Sequence, residues 1–192
     1  AIQGNASGTG TFTIAAPNSN TDRTLVLPDE AGTVLTSASD ITSQAQSGFP
    51  AFYVRKSAYQ TLSDSVRTKV TWETEIYDTD NAFASNKFTV PSGQGGKYVF
   101  LIQIGGRSSG NLKRQEIYLY KNNGALNIQD FDVGTLDGYK IPNYMSVVVD
   151  ASAGDYFEVY ALCDSDNGSN VEIEETESGV INSFFAGYKL RD

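Results

Sequence analysis

Tyr98-Val99-Phe100-Leu101-Ile102 is apolar at five successive positions, on both sets of alternating side chains. A strand covered on one face alternates apolar with polar residues; one that is apolar throughout is covered on both. It lies at the centre of a sandwich or at a subunit interface, and in a chain of 192 residues an interface is the more economical account. Outward from it, further strand-length runs recur, at 51–56, 70–77, 87–90, 97–105, 115–121, 145–150, 156–163, 171–174 and 183–190. Gly, Asn, Asp and Ser clusters punctuate them. Ile117 and Leu119 alternate with Tyr118 and Tyr120, and no helical periodicity persists beyond a turn. Nine such runs in about 140 residues predict an all-β sandwich or barrel.

Residues 1–48 have a different texture, small and polar, with two brief alternating stretches at Thr11-Phe12-Thr13-Ile14 and Thr24-Leu25-Val26-Leu27. Pro28 closes the second, and Gly32 permits a turn before Thr33-Val34-Leu35. Strands so few and thin need another copy or another domain to cover them. The chain is therefore read as a short β-rich N-terminal extension, the connector and neck 1–48, followed by a head at 49–192.

The formal charge is −9, and 14 Lys and Arg are scattered without a run. That balance argues against nucleic acid as a partner. No stretch approaches the roughly 18–20 apolar residues of a membrane span, and the opening AIQGNASGTG lacks the pattern of a signal peptide, so membrane insertion is not expected. Cys163 is the single cysteine, which leaves no intrachain disulfide. Histidine is absent altogether, removing the usual general base and the commonest metal ligand. The chain is expected not to be an enzyme.

Several longer patterns match a known family. Phe49-Pro50-Ala51-Phe52-Tyr53-Val54, Lys69-Val70-Thr71-Trp72, Asp80-Asn81-Ala82-Phe83, Lys87-Phe88-Thr89-Val90-Pro91, Gly96-Lys97-Tyr98-Val99-Phe100, Ala153-Gly154-Asp155 and Phe185-Ala186-Gly187-Tyr188-Lys189-Leu190 occur in the order of the family's conserved strands. The head thus resembles the complement C1q and tumour-necrosis-factor (TNF) family of ten-stranded jelly rolls. Gly10-Thr11-Phe12-Thr13-Ile14, Pro17, Thr24-Leu25-Val26-Leu27-Pro28 and Gly32-Thr33-Val34-Leu35 separately resemble a segment common in bacteriophage tail-fibre proteins. Together the two resemblances imply a homotrimeric virion fibre protein. It would lie on the virion surface, its neck joined to other virion proteins and its apolar sheet edges packed around a threefold axis. Tyr98, Phe100, Phe184, Phe185 and Tyr188 are candidates for the trimer interface, being more aromatics than one sandwich needs.

Other constellations have a chemical and a bland reading. Asp164, Asp166, Asn170, Glu172 and Glu175 supply the oxygens that calcium requires, but Gly168 is fifth rather than sixth in the loop, so the alternative is an acidic, solvated hairpin tip. Asp78, Asp80 and Asn81 form a weaker cluster of the same kind. Glu73 and Glu75 are spaced as a carboxylate pair but read better as one solvated strand face. Trp72 is core or a sugar-stacking platform, and Cys163 a buried thiol rather than a reactive one. Gly93-Gln94-Gly95-Gly96-Lys97 reads as a hairpin turn rather than a phosphate loop. Tyr, Asn, Asp, Ser and Gly dominate the candidate loops 106–111, 122–139 and 164–170, a vocabulary suited to contact with a host-surface glycan or protein. Tyr139 and Tyr144 are the candidate receptor-binding residues. The competing reading is a purely structural decoration or collar fibre, in which the jelly roll only trimerises.

Overall fold

The computed structural model describes residues 49–132 and 140–190, which form thirteen strands and no helix. The N-terminal connector and its fibre-type motif lie outside the described residues. One sheet has the order β10(Lys140–Ala151), β7(Gly96–Ser108), β13(Phe184–Lys189), β1(Ala51–Arg55), β4(Thr74–Asp78). Two short strands extend this sheet at the far end of β7: β12(Val171–Ile173) pairs with residues 106–108, past the end of β13, and β2(Gln60–Leu62) pairs with β12. The facing sheet runs β9(Gly124–Asp132), β8(Leu112–Lys121), β11(Tyr156–Ser165), β6(Lys87–Thr89), β5(Phe83–Ala84), with β3(Thr68–Lys69) also on β11. All pairings are antiparallel, and the chain passes between the sheets after β2, β3, β4, β6, β7, β9, β10 and β11. This is a jelly roll, as the run spacing predicts, with its ten expected strands supplemented by short pieces.

The doubly apolar stretch is the middle of β7, and its two faces have separate fates. Tyr98, Phe100 and Ile102 point into the sandwich with no exposure, whereas Val99 and Leu101 face outward. Tyr98, Phe100 and Phe185 are therefore inside the protomer's own core, where they offer no surface to a second subunit, contrary to the expectation above. Two sheets of this length do need that many aromatics: Phe52 stacks on Phe88 at 4.6 Å and meets Phe185 edge-on at 4.8 Å, and Phe100 lies 4.5 Å from Phe157. Such pairs add to the transfer energy of burial when offset or edge-on. Trp72 joins this cluster beside Phe185, and Cys163 is buried on β11 with its thiol pushed up to about 12, chiefly by desolvation.

Gly187 makes the cluster possible. It pairs with Phe52 on one side and Phe100 on the other, and a Cβ there would come within 2.8 Å of the Phe52 ring and 2.6 Å of the Phe100 ring. The glycine is demanded by close approach of two rings along one cross-strand row.

Four segments depart from the sequence reading. The run at 70–77 is a strand only from Thr74, because Val70 and Trp72 are drawn inward from an irregular strap. Residues 93–97 are not a hairpin turn, since β6 and β7 belong to different sheets and this segment crosses between them. The candidate loop 122–139 begins with β9, joined to β8 through Asn122 (φ 51°) and Asn123 (φ 69°), the two left-handed positions of a tight hairpin. The candidate loop 106–111 loses its first half to β7, which runs on to Ser108.

At the end where the chain enters the fold, Asp155 accepts hydrogen bonds from Ser152 N–H (2.7 Å) and Asn122 Nδ2 (2.7 Å) and pairs with Lys121 Nζ at 2.8 Å. The Lys121 contact above all, with those two donors, lowers its pKa to about 2. A carboxyl depressed in the folded state stabilises the fold above its unfolded pKa of about 3.9 and loses that contribution as pH falls through its folded value. Stability measured by urea titration should accordingly fall between pH 4 and pH 2, with a shallower fall in Asp155→Asn. Gly187→Ala should lower stability by about 2 kcal/mol through overpacking, seen as a lower urea midpoint at unchanged slope.

Candidate interaction surface

Alternation on β7 sets the outer face of its sheet in cross-strand rows. One row reads Val148, Val99, Tyr188, Ala51; the next Ser146, Leu101, Ala186, Tyr53, Tyr77; the third Tyr144, Gln103, Phe184, Arg55, Thr74. Val148 is 57% exposed, and Tyr144, Tyr77 and Tyr188 each more than 40%. Tyr53 meets Phe184 edge-on at 5.7 Å and Tyr77 at 6.1 Å, forming an aromatic ladder across three strands. Desolvation by burial raises the Tyr53 pKa above that of a free phenol.

A second apolar area borders this face. β9 is an edge strand, open at almost every position, with Leu126, Ile128 and Phe131 about half exposed. Asn143 Nδ2 donates to Gln115 O at 3.1 Å and Gln129 O at 3.4 Å, which places β10 alongside β9 across the two sheets. One flank of the sandwich is thus formed by the apolar edges of β9 and β10.

Of the interface candidates, Phe184 and Tyr188 point outward on β13. Tyr144 also belongs to this face: β10 begins at Lys140 rather than at 145 and pairs with β7 along its length, so Tyr144 stands in a strand and not at a loop tip. Tyr139 lies outside the described residues.

Farther along β7, the face turns polar. The row Arg107, Glu172, Thr61 comes from β7, β12 and β2. Arg107 donates from Nε and Nη2 to one oxygen of Glu172 at 2.9 and 2.7 Å, and its guanidinium lies 4.1 Å from the centre of the Tyr59 ring. Glu174 carries a second carboxylate to 3.8 Å from Arg107 Nε. Thr61, Arg107, Ser108, Ser109, Asn170 and Glu172 line a cleft of about 230 Å³.

The acidic loop does not gather its carboxylates. Asp166 accepts from Asn111 N and Nδ2, both at 3.2 Å, while Glu172 is taken up by Arg107. Asp164 stands opposite Arg114 on β11, and Glu175 lies past β12 near Lys56. Among the described residues, no three His, Cys, Asp or Glu come together to hold a metal ion. This geometry supports the solvated hairpin. Asp78 likewise spends its carboxylate on Phe83 N–H at 2.7 Å.

Glu73 is not half of a carboxylate pair. It accepts from Lys56 Nζ at 2.8 Å, Ser57 N at 3.1 Å and Thr71 Oγ1 at 2.8 Å. Lys56 is wholly buried, and its ammonium is completed by Thr71 O at 3.0 Å and Thr71 Oγ1 at 3.2 Å. Burial lowers the Lys56 pKa and Glu73 opposes the shift. Burial also raises the carboxyl of Glu73, but the donors around it outweigh this and leave its pKa lowered.

Sequence reasoning also misses a group on the other sheet, where Arg67 lies 3.7 Å over the Tyr118 ring and bonds Tyr120 Oη at 2.9 Å, beside Tyr160. Alternation at Tyr118 and Tyr120 gave its strand face; the loop that delivers Arg67 carries no such signal.

No family model matches the chain, and no curated protein does. Among solved structures it is similar to the globular domain of zebrafish complement 1qA protein, at 16% identity over 74% of this chain and 98% of that one, TM-score 0.49. It is similar also to Eiger TNF from S. frugiperda (16% identity, 76% and 94%, TM-score 0.51) and to murine APRIL (14% identity, 74% and 99%, TM-score 0.51). The described residues have the jelly-roll fold of the last two structures.

Since Asp166 and Glu172 already have protein partners and no three acidic groups converge among the described residues, millimolar calcium or a chelator should leave the melting temperature unchanged. A rise with calcium in differential scanning fluorimetry would restore the metal reading.

Proposed function

We propose that this chain is a bacteriophage fibre protein, a tail- or head-fibre tip on the virion surface, which assembles as a homotrimer and binds a host-surface glycan or protein through its head. The observation that carries the assembly is the presence of two different apolar surfaces on one protomer: the aromatic outer face with Tyr53, Tyr77, Phe184 and Tyr188, and the exposed edge strand β9, with Leu126 and Ile128 on one of its faces. A contact between two unlike patches is heterologous, and such contacts form closed rings when the rotation permits. The flank of one protomer packs on the face of the next. Large exposed apolar areas of this kind mark interaction sites.

The topology supports an outward-facing head. The chain enters at Ala51 and leaves by Lys189, both at one end of the sheet, where Ala51 pairs with Tyr188 and Lys189 with Tyr98. β7 then runs from Gly96 at that end to Ser108 at the other, roughly 40 Å at about 3.3 Å per residue. The loops at 109–111 and 166–170 are therefore at the end of the head remote from Ala51. Residues 1–48, which resemble the shaft-joining part of fibres, are assigned to contacts with other virion proteins. The role is binding, without catalysis.

Light scattering of the full chain at micromolar concentration should give three times 20.7 kDa, and Tyr77→Glu with Tyr188→Glu should shift it to monomer. A stable wild-type monomer would overturn the assembly. Fluorescently labelled full chain should attach to particular strains in a panel of bacterial cells. Attachment to none, with the trimer intact, would assign the chain to the structural decoration role instead.

A further inference from the structure

We infer that the cleft at the remote end of the outer face, between Arg107, Glu172, Thr61, Ser109 and Asn170, is a binding site for one ring of a neutral sugar; this rests on the adhesive reading of the head. Its size is the first argument. At about 230 Å³ it falls below the roughly 300–1,000 Å³ of clefts that hold drug-sized ligands, leaving room for a single saccharide ring.

The chemistry of the lining is the second. Sugar hydroxyls both donate and accept, and they are recognised by side chains that do the same or that come as donor and acceptor side by side. The Asn170 amide and the Thr61 and Ser109 hydroxyls are of the first kind and stand exposed at the rim. Arg107 and Glu172 are of the second, a guanidinium and a carboxylate fixed 2.7–2.9 Å apart. The pair is held in advance: Glu172 grips one edge of the guanidinium, and the Tyr59 ring lies against it at 4.1 Å. Groups already fixed lose little entropy when a ligand arrives, which matters most for a small polar ligand with little area to bury.

The charge balance selects a neutral ligand. Among the described side chains, one cation, Arg107, faces two carboxylates, Glu172 at 2.7 Å and the buried Glu174 at 3.8 Å, which disfavours a further acid group. The chain's net charge of −9 acts in the same direction. Position is the third argument. The cleft is four residues beyond the Phe184 and Gln103 row, roughly 13 Å along β7, where the face has passed from apolar to polar. Packing of the aromatic rows between protomers leaves it open at the remote end. Three copies on one trimer raise a weak single-site affinity through effective concentration.

The test uses the full chain with methyl glycosides of glucose, galactose, mannose and N-acetylglucosamine, and with N-acetylneuraminic acid as the charged comparison, by saturation-transfer NMR and calorimetry. One or more neutral glycosides should bind, and Thr61→Trp, which fills the cleft from an exposed position, and Asn170→Ala should each weaken binding at least ten-fold without changing the melting temperature. Both variants should also reduce attachment to bacterial cells. Binding of N-acetylneuraminic acid alone, or neutral-sugar binding that both variants leave intact, overturns this site. Cell attachment undiminished in both variants also overturns the site while the adhesive reading stands. Absence of cell attachment by the wild-type chain removes both.

Discussion

The cross-strand row Phe52, Gly187, Phe100 is the constraint on which the remainder of the sandwich depends. Two phenyl rings flank a residue with no side chain, and the space left by its missing Cβ lets both lean toward the facing sheet, where they meet Phe88 and Phe157. With the aromatic pairs fixed there, the register of β1, β13 and β7 is fixed too, because a slip of one residue would turn Phe52, Phe100 and Phe185 to the outside. The outer face then follows from the same alternation. Val99, Leu101, Tyr53, Phe184 and Tyr188 point outward because their neighbours point in, so one set of pairings produces both the core and the apolar outer face.

The two ends of the sandwich are held by different physics. Aromatic packing fills the middle and the end where the chain enters. Toward the remote end buried polar groups stand among the aliphatic side chains of Leu62, Ile104, Leu112, Val171 and Ile173. Gln115 Nε2 donates to Ile104 O at 2.9 Å, Gly105 N–H to Ser183 Oγ at 3.0 Å, and Lys56 is enclosed by Thr71 and Glu73. Buried polar groups contribute little net energy when satisfied but cost much when a partner is lost, so such a network specifies geometry more than it adds stability.

Much of this was legible because strand periodicity is a local signal. Each of the nine runs contains a strand of the structure, and the inward set Ile117 and Leu119 could be named from alternation alone. β9 escaped because its sequence, GALNIQDFD, has few β-branched residues and is covered on neither side; only the Asn-Asn-Gly turn before it carried a usable signal. The interface candidates were divided for a related reason. Aromatic count says that a strand is apolar on both faces, but which face belongs to the protomer's own core depends on where the second sheet lies. Tyr98, Phe100 and Phe185 went inward; Phe184 and Tyr188 went outward.

The acidic loop shows the limit most directly. Its composition suits a calcium site, yet whether carboxylates converge depends on which cations and amides the other strands bring to them, and here Asn111 and Arg107 reach Asp166 and Glu172 first. By itself the sequence determined the class of fold, the positions of most strands and the absence of histidine, all properties of residue type and short-range spacing. Only the tertiary structure decided that Lys56 is a buried cation with Glu73 as its partner, that Arg107 is clamped between Tyr59 and two glutamates, and that Tyr144 stands on a sheet face, because each of these depends on pairings between residues 15 to 67 positions apart, which no local pattern records.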